Sequence, residues 1–374
     1  MSRRTSVLAR LLLVVLLVYI FLVSIGLMGA AFKGFGKAFA QQLIQTTSNP
    51  FVGLFIGIFA TSLVQSSSTT TSIVVGMVGS GVLTVSCAVP IVMGANIGTT
   101  VTNTLVSLGH VSRREEFRRA IAGATVHDFF NLICVAIMFP LNLATGFLER
   151  LAGLLEGLFA NVGGIKFTSP IKLATSPVIH FIEHILSDTL RLADRSAHVA
   201  MLIISVVILF FALVYLVRTM RSLVIERVES ALDDVLGKNA LLAILAGMIL
   251  TFIIQSSSIT TSLLVPMMAA GILSLEAAFP IVIGANIGTT GTSILASFAT
   301  GNPAAITIAF VHFLFNFIGV VVIYPIKPFR VIPINLARAL GDLAYDKRHY
   351  AFLYVMGMFF IVPGILILTY NLLT

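Results

Sequence analysis

Apolar runs of about 20 residues recur along the chain, the length a helix needs to cross a hydrocarbon core roughly 30 Å thick. They predict complete membrane-spanning helices at about 11–32, 85–108, 118–140, 197–217, 277–298, 304–325 and 350–370. Two further apolar stretches, 51–83 and 239–273, are each split midway by a polar string. The first carries QSSSTTTS from Gln65 to Ser72, the second QSSSITTS from Gln255 to Ser262. Phe51 to Val64 makes only about 21 Å of helix at roughly 1.5 Å per residue, too short to cross. Each split stretch is therefore read as a re-entrant hairpin that turns back at its polar tip. Backbone leaves helical geometry at that depth only where protein or a water-filled cavity surrounds it.

The pattern occurs twice. Pro90 and the segment Gly94-Ala95-Asn96-Ile97-Gly98-Thr99-Thr100 return at Pro280 and Gly284 to Thr290, offset by 190 like the two polar strings. His127-Asp128-Phe129-Phe130-Asn131 faces His312-Phe313-Leu314-Phe315-Asn316 at an offset of 185. The basic loop near Arg113 to Phe117 absorbs the difference. A first repeat then occupies 1–140, with hairpin 51–83, broken span 85–108 and span 118–140. A linker with amphipathic helices fills 141–196. The second repeat takes 197–325, with hairpin 239–273, broken span 277–298 and span 304–325, and a loop and last span end the chain at 326–374. Each copy crosses three times, an odd number, so the second copy should lie upside-down relative to the first. The fold class is an all-α polytopic membrane protein with two inverted-topology repeats, each with a re-entrant hairpin and a discontinuous helix. Repeats of this kind are the mark of alternating-access secondary transporters.

Composition agrees. Of 374 residues, 58% are hydrophobic and 10% charged, and there is no Trp, against roughly 25% charged in a soluble domain. The net charge of +8 does not point to nucleic acid, because the basic residues sit in short loops beside apolar spans. With the N-terminus inside, the segments 1–10, 109–117 with its flank, 218–238 and 326–349 become cytoplasmic. They hold 16 of the 23 Lys and Arg residues, as the positive-inside rule requires. The run Leu11 to Phe32 is longer than the core of a cleaved signal peptide and is read as a retained span. Cys87 and Cys134 lie in apolar segments and imply no disulfide framework.

Residues 51–109 hold no Asp, Glu, Lys or Arg, and 239–311 hold only Glu276. The polar groups there are hydroxyls, amides and backbone. Ser and Thr can donate to an oxyanion or offer lone pairs to a small cation, and Asn and Gln do both. Ser66 to Ser68 should cap the returning half-helix, whose N-terminal N–H groups favour an anion. Gly94 and Gly98 around Asn96, after Pro90, suggest a discontinuous helix with carbonyls open to Na+, and the second copy offers the same set. The bland alternatives are hydroxyls bonded to their own preceding turn and small residues that serve helix packing. Gly53 and Gly57 are assigned to packing. Asp128 is an intramembrane acid, either a cation ligand or one partner of a structural pair with His127 or Asn131. His127 and His312 are read as packed, hydrogen-bonded residues.

His180, Glu183 and His184 match the HxxEH pattern of some zinc peptidases. With Ser187, Asp188 and Arg191 they also form the polar stripe of an amphipathic helix, opposite Ile179, Ile182, Ile185, Leu186 and Leu190. The helix reading is preferred, and likewise for Arg221 to Leu236.

With these residues assembled, the chain resembles the type II sodium–phosphate cotransporters in their short bacterial form. The carrying strings are the two QSSS segments, the two GANIGTT segments, TNT at 102–104 and RREEFRRAIAGATVHDFFN at 113–131. The resemblance covers roughly 50–140 and 238–326. In the linker, where vertebrate members carry a long glycosylated and cysteine-containing loop, this chain has neither cysteine nor sequon, which places it among prokaryotic members. The resemblance implies symport of inorganic phosphate with Na+ by alternating access, no enzyme activity and no cofactor beyond co-transported Na+. It implies a phosphate site lined by Gln65, Ser66, Ser67, Gln255, Ser256 and Ser257, with Asn96 and Asn286 around it. Sodium ligation would fall to Ser68, Asn96, Thr99, Thr100, Asn103, Asp128, Ser258, Asn286, Thr289 and Thr290. Expected partners are phosphate, Na+ and the lipid bilayer, with a homodimer as the candidate assembly. The expected location is the bacterial inner membrane with a cytoplasmic N-terminus. Competing readings are another oxyanion such as sulfate or a dicarboxylate, proton coupling, or a non-transporting anion receptor.

Overall fold

A computed structural model describes residues 3–161, 170–235 and 239–373. Residues 162–169 of the linker, and the 236–238 end of the amphipathic segment with Lys238, lie outside the described residues. The described chain is helical and polytopic. Helix α1 (Arg3–Gly34) is followed by α2 (Gly36–Thr47) and then the first hairpin, α3 (Pro50–Val64) and α4 (Ser67–Ser80). Next come α5 (Val85–Gly98), α6 (Val101–Ser107), α7 (Arg114–Thr145), α8 (Phe147–Asn161), α9 (Pro170–His184) and α10 (Asp194–Val235). The second hairpin is α11 (Ala240–Ile254) and α12 (Ser257–Ala269), followed by α13 (Leu275–Thr300), α14 (Pro303–Ile323) and α15 (Lys327–Asp346). The last span is α16 (His349–Met356), a π turn at Gly357–Ile361 and α17 (Val362–Leu373). Among the described residues, seven helical segments are long and apolar enough to cross a membrane, α5 with α6 and α16 with the π turn and α17 each counting as one, and each matches a span predicted from the sequence.

The hairpins form for the same local reasons. Asn49 and Asn239 cap the first halves, accepting from Phe51 N at 3.0 Å and Leu241 N at 2.8 Å. Each first half ends on a glutamine in left-handed geometry, Gln65 at φ 56° and Gln255 at φ 62°. Both glutamine N–H groups close the last turn, on Thr61 O and Thr251 O at 2.7 Å. Non-glycine residues there carry a strain of roughly 1–2 kcal/mol, which marks the side chain as needed. Ser66 and Ser256 are then extended and cap the return helices, accepting from Thr69 N at 3.2 Å and Ile259 N at 3.4 Å. Thr84 and Ser274 cap the spans that follow.

One expectation is corrected. The span at 277–298 is unbroken: α13 runs through Gly288, Thr289 and Thr290. In the first copy the helix only tightens at Thr99 and Thr100. Both stay right-handed, with N–H bonds to Asn96 O and Ile97 O at 3.4 Å. Neither copy therefore opens a row of free carbonyls. The glycines have another task. A Cβ on Gly94 would sit 2.0 Å from Leu54 O, and one on Gly57 2.1 Å from Ile91 O. In the second copy Gly284 would meet Ile244 O at 2.0 Å and Gly247 would meet Ile281 O at 2.1 Å. These glycines let α3 lie directly on α5, and α11 on α13. Gly57 thus does pack helices, as expected.

The linker helix α9 lays Ile179, Ile182 and the following Leu186 against Leu27, Ala31, Ala197 and Met201 of α1 and α10. His180 and Glu183 pair at 3.4 Å, and His184 and Asp188 at 3.5 Å, along the outer face. That is the amphipathic helix predicted from the stripe. Helix α8 packs on α14 and α15 on α7. Both are also tied to the starts of spans: Ser86 donates to Glu149 at 2.8 Å, and Arg338 pairs with Glu276.

Candidate functional site

The two hairpin tips meet inside the protein. Ser68, at the start of α4, donates to Gln255 O at 3.3 Å and lies 3.4 Å from the hydroxyls of Thr289 and Thr292. Thr292 donates to Gln255 Oε1 at 2.8 Å, which accounts for a glutamine where glycine would be unstrained. Gln65 is exposed and Gln255 buried, so the tips are not equivalent in this conformation. Thr102 donates to Gln65 O at 3.4 Å, the counterpart of Thr292 at an offset of 190. Ser67 and Ser257 are buried in the first turns of the return helices, and Ser66, Ser256 and Ser258 are half-buried around them. Two helix N-termini therefore converge with their hydroxyls, a setting that favours an oxyanion.

Each span after a hairpin also reaches across to the opposite hairpin. Asn103 on α6 donates to Thr261 on α12 at 2.7 Å, and Ser293 on α13 donates to Thr71 on α4 at 3.0 Å. These are one contact made twice, since 103 and 71 map onto 293 and 261 at the same offset.

Beside the tips lies a buried network of amides and imidazoles. His127 Nε2 hydrogen-bonds to Asn286 Oδ1, and Asn286 Nδ2 donates to Asn131 Oδ1 at 2.7 Å. In the other half His312 Nε2 lies 3.4 Å from Asn96 Oδ1, and Asn316 Nδ2 donates to the same oxygen at 3.2 Å. Asn131 Nδ2 donates to Asn96 O at 2.9 Å. Asn286 thus spends both side-chain polar atoms, and Asn96 its Oδ1 and its carbonyl, on tying α7, α14, α5 and α13 together, while Asn96 Nδ2 donates to Val92 O of its own helix at 2.9 Å; none of these bonds goes to the tips. His127 and His312 are packed and hydrogen-bonded, as expected from the sequence.

The remaining cation candidates separate. Thr99 and Thr290 donate to their own preceding turns, at 3.0 Å to Ala95 O and 2.7 Å to Ile287 O. Thr100 Oγ1, Asn103 Oδ1 and Asp128 Oδ1 are buried with no hydrogen-bond partner. Orphaned buried oxygens are costly unless something binds them, and these three suit a hard cation. Asp128 is fully buried, yet its partner is neither His127 nor Asn131: Tyr354 on the last span donates to Oδ2. The alternative of a structural pair with His127 or Asn131 is therefore not what the structure shows. Sequence reasoning passed over Thr71, Thr261, Thr292, Ser293 and Tyr354. The repeat offset, carried a few residues further, would have found the first four. Nothing in the sequence marks Tyr354.

The family model described as Na+/Pi-cotransporter matches residues 20–161 and 193–328. The chain is similar to "Sodium-dependent phosphate transport protein 2B" of Homo sapiens, 34% identical over 95% of this chain and 64% of the relative. It is similar to "Sodium-dependent phosphate transport protein 2A" of Rattus norvegicus, 34% identical over 93% of this chain and 65% of the relative. A rabbit 2A protein, from Oryctolagus cuniculus, is 34% identical over 97% and 68%. The chain thus spans about two thirds of the length of these relatives. No solved structure matches it.

Proposed function

The chain belongs to the Na+/Pi-cotransporter family, and from that premise we propose that it carries inorganic phosphate across a bacterial inner membrane with Na+. The observation that carries the reading is the meeting of the tips, where Ser68 contacts Gln255, Thr289 and Thr292. Gln65, Ser66, Ser67, Gln255, Ser256 and Ser257 bind the phosphate through hydroxyls, amides and two helix N-termini. Asn96 and Asn286 hold the helices that carry these tips. Sodium takes oxygen ligands from Ser68, Thr100, Asn103, Asp128, Ser258 and Thr289.

The chemistry requires both ions. No Lys or Arg lies in residues 51–109 or 239–311, and an anion stripped of water without compensating charge is prohibitively unstable. Na+ supplies that charge, so each ligand raises the affinity of the other by the same factor. The halves 1–140 and 197–325 form inverted repeats, and alternating access proceeds by their relative motion around the tips. The N-terminus is cytoplasmic. The test is uptake of labelled phosphate into proteoliposomes. Uptake should require an inward Na+ gradient and be competed by arsenate better than by sulfate or succinate. Equal uptake when K+ replaces Na+ refutes the reading.

A further inference from the structure

The last span touches the body of the protein along a narrow seam. Phe352 and Leu353 face outward, while Tyr354, Val355 and Phe359 turn inward. On that seam the Tyr354 hydroxyl donates to Asp128 Oδ2. The other carboxyl oxygen, Oδ1, is buried with no hydrogen-bond partner. The Tyr354 ring is held on two sides, by Phe129 at 5.8 Å between centroids and by Phe359 edge-on at 6.1 Å. Directly after it the helix widens into the π turn Gly357–Ile361. Such bulges inside helices occur frequently at functional sites. Tyr354 also lies beyond residue 328, where the family model ends. At the position equivalent to Asp128 the second half has Phe313, stacked on Phe317 at 5.6 Å. The acid therefore has no counterpart there.

A carboxylate with both oxygens free can turn about its terminal bond and present either edge to a cation. A hydrogen bond to one oxygen removes that freedom and fixes where the other points. We propose that Tyr354 is a positioning residue for the sodium site: it ties down Asp128 Oδ2 so that Oδ1 is presented to Na+. The inference rests on the proposed function, since it takes Na+ as the cargo that Asp128 meets. It adds that the last span helps to set the affinity for that ion. Partners that orient a ligating carboxylate typically contribute 10–100-fold to ion affinity.

The test is Na+-dependent thermal stabilisation of the whole purified protein in detergent, beside uptake in proteoliposomes. The wild-type arm tests the function itself, through Na+-driven phosphate uptake. Tyr354→Phe, which removes one oxygen, should raise the Na+ concentration for half-stabilisation and half-maximal uptake about tenfold. Its maximal rate at saturating Na+ should stay within about twofold of wild type. Tyr354→His, which keeps a donor on the ring edge, should recover part of the loss. In an Asp128→Asn background, Tyr354→Phe should add no further shift. A brace with a purely structural role would instead lower the melting temperature in the absence of Na+ and leave the Na+ midpoint in place. That result, or a Tyr354→Phe shift that adds in full to that of Asp128→Asn, overturns the inference.

Discussion

Gly94→Ala places the packing account under direct strain. The new methyl would sit 2.0 Å from Leu54 O and 2.9 Å from Ile58 N, where a carbon and an oxygen settle no closer than about 3.3 Å. Helices α3 and α5 must then part by about 1.3 Å, the difference between those two distances. The obstruction is backbone on both sides, since Gly57 already lies against Ile91 O, so no side chain can rotate away. Overpacking of this kind costs about 1–3 kcal/mol. The movement also draws Asn96 away from His312 and Asn316, which lie 3.4 and 3.2 Å from its oxygen. Gly29→Ala is the matched control, because nothing lies within 4 Å of its added methyl. There the better helix propensity of alanine should stabilise by up to about 1 kcal/mol. Thermal melting in detergent, followed by loss of the monodisperse chromatographic peak, separates the two variants. Gly94→Ala should melt several degrees below wild type and lose most uptake, and Gly29→Ala should match or exceed wild type. Equal melting of the two variants would show that the glycines do not set the helix spacing.

The other predictions are smaller in scope. Asp128→Asn should weaken Na+ dependence more than phosphate selectivity, read from uptake against Na+ and against competing oxyanions. Gln255→Gly should relieve roughly 1 kcal/mol of left-handed strain yet lose the Thr292 bond, leaving melting near wild type and phosphate affinity reduced. Asn103→Ala and Thr261→Val should be non-additive in a double-mutant cycle, with a coupling of about 0.5–1.5 kcal/mol. Glu276→Gln should change melting by no more than about 0.5 kcal/mol, because its pair with Arg338 is half exposed.

Much of this architecture can be read directly from residues. The helix breaks at Gln65 and Gln255 were legible because an apolar run too short to cross was followed by Gln-Ser-Ser-Ser, and that string is what makes the left-handed turn and the N-cap. The linker helix was legible because His180, Glu183, His184 and Asp188 share one face. The break expected in α13 was not there. Glycine supplies either backbone freedom or closeness, and the sequence does not say which until the partner helix is seen at 2.0 Å from Gly284. The network joining Asn96 to His312 and Asn286 to His127 crosses from one half to the other. Periodicity within one half carries no trace of such a contact. Tyr354 is the extreme case, one of several hydroxyls on a largely exposed span, made meaningful by folding alone.

The central chemical claim is that sodium supplies the positive charge the two tips lack. Calorimetric titration of the purified protein with phosphate, in Na+ and then in K+, tests it without reference to transport. Phosphate should bind in Na+ and essentially not at all in K+. Phosphate should also tighten Na+ binding by the factor by which Na+ tightens phosphate binding. Phosphate that binds equally well in K+ would contradict it.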